Sequence, residues 1–274
     1  MRIIVMRQCK YTLGSLALKA KKSLAALALL AVATPSLAAY DLSNDTLVVS
    51  VSVAPPFVSI TGDFHQPEGI DIALIKELQK RTGFKTMSDE MSLMTFNDMI
   101  ESGRSGHSDI IAGAISATQE RRMSYSVTEP YVYNSVCIVT RKGDNIDSLD
   151  DLNGRTFAYQ TGTNIAALQS SNTNMKLYET SSTFMTFYAV ARGKADALLV
   201  DEIIAREYIA KWPDANLQVA GKIPGSETGI ALFFKKDSPR SKILQKVYQE
   251  MIDDGTVDNI VKEGLSQYFA DLVY

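Results

Sequence analysis

Leu47 to Val53 is a β-branched run, and beyond Pro55-Pro56-Phe57 it gives way to a stretch whose apolar residues Ile70, Leu74, Ile75 and Leu78 share one helical face before Gly83 stops it. Strand, loop, helix and stop make one unit of an α/β sheet, and this alternation constrains the chain more than any other feature. It recurs: Phe96 to Ser102 reads as a helix, Ser108 to Ala114 as a buried strand, and Tyr131 to Thr140 as a long extended segment. Arg155 to Gln160 then reads as a strand, Asn164 to Ser170 as a helix, Ser182 to Arg192 as a helix closed by Gly193, and Ala195 to Val200 as a strand. The expected class is α/β, with parallel sheets covered by helices on both faces. No internal repeat or low-complexity linker interrupts the pattern.

The first residues state where such a fold would work. Arg2, Arg7, Lys10, Lys19, Lys21 and Lys22 precede any acid, and the apolar run Leu24 to Val32 leads to Ser36-Leu37-Ala38. A basic region, a short apolar core and a small-x-small site read as a secretory signal peptide over residues 1–38, cleaved after Ala38. The run is well short of the ~20 residues that a membrane span needs. Cys9 lies before the apolar core, which is not a lipoprotein arrangement. The expected product is a soluble periplasmic protein.

Removing that segment leaves 22 Lys and Arg against 31 Asp and Glu, a net charge of −9 in place of −3. That balance excludes nucleic acid and anionic lipid as expected partners. Cys137 would then be the one remaining cysteine, inside the apolar Val136 to Val139, and reads as a buried small hydrophobe. With His65 and His107 the only histidines and no metal-ligand spacing, no metal and no cofactor is expected. About 236 mature residues suit two lobes better than one small core.

In open α/β sheets ligands sit beyond the carboxyl ends of strands. Three sets of residues stand there. Ala112-Gly113-Ala114-Ile115-Ser116 ends a strand with small residues whose backbone N–H groups are approachable, and Arg121 follows with a planar fork able to grip two carboxylate oxygens. Thr161-Gly162-Thr163-Asn164 follows the strand Arg155 to Gln160; it suits either plain turn chemistry or hydroxyl contact with a ligand. Asp201 ends the strand Ala195 to Val200, where a carboxylate needs a cationic partner or serves as the N-cap of a helix over Glu202 to Ala210.

Taken in order, these segments resemble the extracellular solute-binding proteins, family 3, that capture amino acids for ATP-binding-cassette importers. The resemblance runs from about Leu47 to Phe269. Its elements are Ala54-Pro55-Pro56-Phe57, Glu68-Gly69-Ile70-Asp71-Ile72, Phe96 to Asp109, Ser116-Ala117-Thr118-Gln119-Glu120-Arg121, Tyr125-Ser126 with Pro130-Tyr131, Leu152-Asn153-Gly154-Arg155 leading to Gln160-Thr161-Gly162-Thr163, Ala195-Asp196-Ala197 to Asp201, and Asp254 to Ile260. It implies a two-lobe clamp crossed twice by the chain, near Tyr131 to Asn134 and near Pro224 to Gly229, with residues 39–132 and 229–274 as the first lobe and 133–228 as the second. It also implies that Arg121, helped by backbone N–H groups at Ala114 and Ser116, binds a ligand α-carboxylate, that Asp201 accepts the α-ammonium, and that Thr161 and Thr163 add hydrogen bonds. Phe96 matches a position that stacks on the ligand, and reads equally as helix core; Asn164 completes the turn.

Where binders of basic amino acids carry an aspartate and an aromatic before Pro-Phe, this chain has Val51 and Ala54, which weakens lysine, arginine and histidine as ligands. The resemblance implies a monomer that works with an importer permease. Two other uses of such a clamp stay open. One is presentation of a ligand to a membrane sensor. The other is a periplasmic cyclohexadienyl dehydratase, in whose relatives an acid directly follows Gly-Thr-Asn; here Ile165 follows Gly162-Thr163-Asn164, and an isoleucine donates no proton.

Overall fold

The computed structural model describes residues 40–62, 66–165 and 174–269, so the expected signal peptide and most of the helix expected over Asn164 to Ser170 lie outside the described residues. The chain begins with β1 (Thr46–Leu47), β2 (Val49–Val51), α1 (Ile70–Thr82), β3 (Lys85–Thr86), β4 (Ser92–Leu93), α2 (Phe96–Arg104), β5 (Ile110–Ala112), α3 (Gln119–Ser124) and β6 (Tyr125–Val127). It crosses through β7 (Val132–Asn134) into β8 (Val136–Arg141), β9 (Thr156–Gln160), β10 (Lys176–Thr180), α4 (Thr183–Ala191), β11 (Ala197–Asp201), α5 (Glu202–Lys211) and β12 (Leu217–Lys222). It returns through β13 (Thr228–Ile230) to β14 (Phe233–Lys235), α6 (Pro239–Asp253) and α7 (Thr256–Phe269).

Two five-stranded sheets result, in the orders β4-β2-β5-β14-β6 and β10-β9-β11-β8-β12, each the centre of one lobe. Between them β7 and β13 pair antiparallel, Asn134 opposite Thr228 and Val132 opposite Ile230, so both crossings share one ribbon.

Parallel sheets were expected, and the sheets are mixed. β2 is parallel to β4 and β5, and β9 to β10 and β11. β8, however, runs antiparallel to β11 and β12, and β14 antiparallel to β5 and β6. The crossings cause this. Parallel neighbours need a long crossover, usually a helix, whereas β8 and β14 arrive straight from the ribbon. The single strand expected over Leu47 to Val53 is also divided. Val48 donates its N–H to Asp109 Oδ2 at 2.9 Å, so a side chain takes a place in the ladder.

The helix α1 has the predicted stripe: Ile70, Leu74, Ile75 and Leu78 are all buried, and full burial of each contributes about 1.5–3 kcal/mol. It packs on α6 and α7, where Gly264 lets the backbone approach Ile70; a Cβ there would lie 2.3 Å from Ile70 Cγ1. Gly83 ends α1 in the left-handed conformation with its N–H on the Gln79 carbonyl. Cys137 is fully buried in β8, and desolvation pushes its thiol pKa upward. Among the described residues no helix is long and apolar enough to cross a membrane.

Candidate functional site

A cavity of about 50 Å³ lies where the two lobes meet. The first lobe lines it with Ala54, Phe96, Gly113, Ala114, Ser116 and Arg121. The second lines it with the turn Thr163 to Ile165, with Gln160, Thr183 and Thr186, and with Leu199 to Asp201 and Ile204. Of the residues singled out in the sequence, the fold brings Phe96, Ala114, Ser116, Arg121, Thr163, Asn164 and Asp201 to this one space. Thr161 does not line it: its N–H and its hydroxyl both go to the Thr180 carbonyl, at 2.9 and 2.8 Å, tying the turn to β10.

Arg121 is aimed by its own helix. Thr118 caps α3, its side chain accepting the Arg121 N–H at 3.3 Å. The guanidinium donates from Nη1 to the Ser116 carbonyl at 3.1 Å and from Nη2 across the cleft to the Gly162 carbonyl at 3.3 Å. Its Cζ lies 5.6 Å from the centre of the Phe96 ring, a cation–π arrangement. Phe96 therefore does two things, packing into the core with Met99, Ile111 and Phe233 and forming a platform for the cation. Burial lowers the Arg121 pKa, yet a guanidinium stays protonated regardless. With five donors and two spent on carbonyls, it retains capacity for a carboxylate.

Asp201 faces the same cavity from the end of β11. It stands at the N-cap position of α5, but its side chain makes no cap hydrogen bond. Asn134 of β7 substitutes for it, its Oδ1 accepting the Ile203 N–H at 3.3 Å. Asp201 is thereby left for other work. Desolvation pushes its pKa up to about 6, against the lowering influence of the Asn134 amide and of Arg121. No ion pair joins Asp201 to Arg121 among the described residues. Two opposite charges, one per lobe, thus face a narrow space without neutralising each other directly.

Two residues at this site escaped the sequence reading. Asp71 is fully buried and accepts the Ala114 N–H at 3.0 Å and the Tyr131 hydroxyl. That N–H is therefore already engaged, and Asp71 fixes the strand end at Ala114, which sits at φ 55°. Desolvation raises the Asp71 pKa to about 6, opposed by these hydrogen bonds. The available signal was its place on the apolar face of α1, three, four and seven residues before Leu74, Ile75 and Leu78. Asn134 is the other, and its neighbours carry no local hint of a helix to cap.

The lobes also touch at Gly162. Its φ is 82°, and a Cβ there would stand 2.9 Å from Asn97 Cα in α2. Arranged in this way, the cleft can hold a small dipolar molecule, anionic end on Arg121 and cationic end on Asp201, contacted by both lobes at once.

Known proteins are similar to this chain over most of its length. A probable histidine-binding protein of Campylobacter jejuni is 27% identical over 227 residues, covering 81% of this chain and 86% of that protein. An arginine-binding extracellular protein of Bacillus subtilis is 26% identical over 198 residues, covering 71% and 76%. The solved structure of an ancestral arginine-binding protein bound to arginine superposes with a TM-score of 0.71 at 27% identity, covering 80% of this chain and 97% of that one. The model of the bacterial extracellular solute-binding proteins, family 3, matches residues 47–267. The chain belongs to that family.

Proposed function

We propose that this protein captures an amino acid, or a similar small zwitterion, in the cleft between its lobes and delivers it to an ABC importer. One observation carries the reading: Arg121 and Asp201, from opposite lobes, line one cavity and are not paired with each other. The ligand α-carboxylate lies on Arg121 and the Ser116 backbone, and the α-ammonium on Asp201. Phe96, Ala114, Thr163 and Asn164 complete the walls, with Thr161 holding the turn. Because opposite ends of the ligand are held by opposite lobes, the closed form alone satisfies both, and that differential affinity drives closure.

In this reading residues 39–132 and 229–274 form one lobe, 133–228 form the other, and the ribbon of β7 and β13 is the hinge. The protein acts as a monomer in the periplasm after loss of residues 1–38. Binding rather than turnover is favoured by the lining itself. Among the described lining residues Arg121 and Asp201 are the only charged groups, and Ile165, which directly follows Gly162-Thr163-Asn164, has no proton to donate.

Isothermal titration of protein freed of ligand by unfolding and refolding tests this directly. An amino acid should bind, and Arg121→Ala should weaken it by about 2–5 kcal/mol, because a desolvated carboxylate then loses its partner. Undiminished affinity in Arg121→Ala would place the ligand elsewhere.

A further inference from the structure

We propose that the cleft selects ligands whose side chains carry no charge. The inference rests on the zwitterion reading above and adds the class of ligand. Among the described residues the cavity is lined by one cation, Arg121, and one anion, Asp201. The two charges of the amino-acid backbone consume both. What remains for the side chain is apolar, Ala54, Ile165, Leu199 and Ile204, or neutral and polar, Gln160, Thr183 and Thr186.

The polar groups of that wall are occupied with one another. Thr183 Oγ1 donates to Gln160 Oε1 at 2.8 Å, and Thr186 Oγ1 donates to the Thr183 carbonyl at 2.6 Å. All of these groups are neutral, and none supplies a counter-charge to a charged side chain. A charge brought into so small a space, without a counter-charge, loses its hydration and gains no partner. Acidic groups do occur nearby: Glu120, which is exposed, and Glu101 line an adjoining larger opening of about 550 Å³ that shares Arg121 and Thr163 to Ile165 with the cavity, but neither acid lines the cavity itself. Glu101 there is already paired with Arg104. The ligand class proposed here differs from those for which the Campylobacter jejuni and Bacillus subtilis relatives are named.

The test is a titration of the refolded protein with alanine, serine, threonine, leucine and glutamine, and with arginine, lysine, aspartate and glutamate, at pH 7.5. The tightest neutral amino acid should bind at least tenfold more tightly than any of the four charged ones. A charged amino acid binding within tenfold of the best neutral one overturns the proposal while leaving the clamp reading intact. No binding by any of the nine overturns both. Gln160→Glu places a carboxylate on the same wall with nearly the same shape and keeps the acceptor for Thr183. It should improve lysine or arginine relative to the best neutral ligand at least tenfold. If it still binds the neutral ligand and gains nothing for either cation, the lining charge does not set selectivity and the proposal falls.

Discussion

Arg121 and Asp201 are positioned by neighbours that remove their alternative employment. The ring of Phe96 and the carbonyls of Ser116 and Gly162 orient the guanidinium without neutralising it. Asn134 takes over the helix cap that Asp201 would otherwise provide. The carboxylate is left costly and available, with a pKa near 6. The pH dependence of binding follows from its sign. Free protein takes up a proton at Asp201 as pH falls through about 6, whereas an ammonium bound there as proposed would lower that pKa, so binding would expel the proton. Affinity should be level above pH 7 and weaken below 6, approaching tenfold per pH unit, in titrations at stepped pH. In Asp201→Asn the slope should flatten. These two charges could be found in the sequence because Asp201 ends an apolar strand and Arg121 follows the small residues that close another. Asn134 could not, since its partner Ile203 lies 69 positions along the chain, and Asp71 showed only as an acid on an apolar helix face, its partner Ala114 lying 43 positions away.

Among the elements, α1 was the easiest to read, because a 3.6-residue apolar period and a terminal glycine are both local signals. The strand β10 was not. Lys176 to Thr180 forms the edge of its sheet with only Thr180 buried, so hydrophobic periodicity never marks it. The directions of β8 and β14 were hidden too, since a strand's orientation depends on where its partner comes from. The helix α5 depends on such a distant group. Asn134→Ala removes the acceptor for the Ile203 N–H and should cost about 1 kcal/mol in denaturant titration. Where Asp201 turns back to cap its own helix it offsets part of that cost, and ligand affinity should fall because the carboxylate is diverted. A stability loss with unchanged affinity would show that Asn134 acts on α5 alone.

At the scale of the molecule, two sheets are joined by a two-stranded ribbon, and the clamp proposed above requires that they rotate about it toward an end point set by the ligand. Gly162 lies at the closing contact. Gly162→Ala puts a methyl against Asn97 and also strains the left-handed turn by about 1–2 kcal/mol. Calorimetry should show ligand affinity reduced by more than the turn strain alone accounts for, because the variant hinders closure. The clamp itself is tested most directly by small-angle X-ray scattering at saturating ligand. The radius of gyration of wild-type protein should fall on ligand addition, and that of an Arg121→Ala, Asp201→Asn double variant should not. Equal contraction in both, or none in wild type with ligand shown to be bound, would contradict a ligand held between the lobes by these two charges.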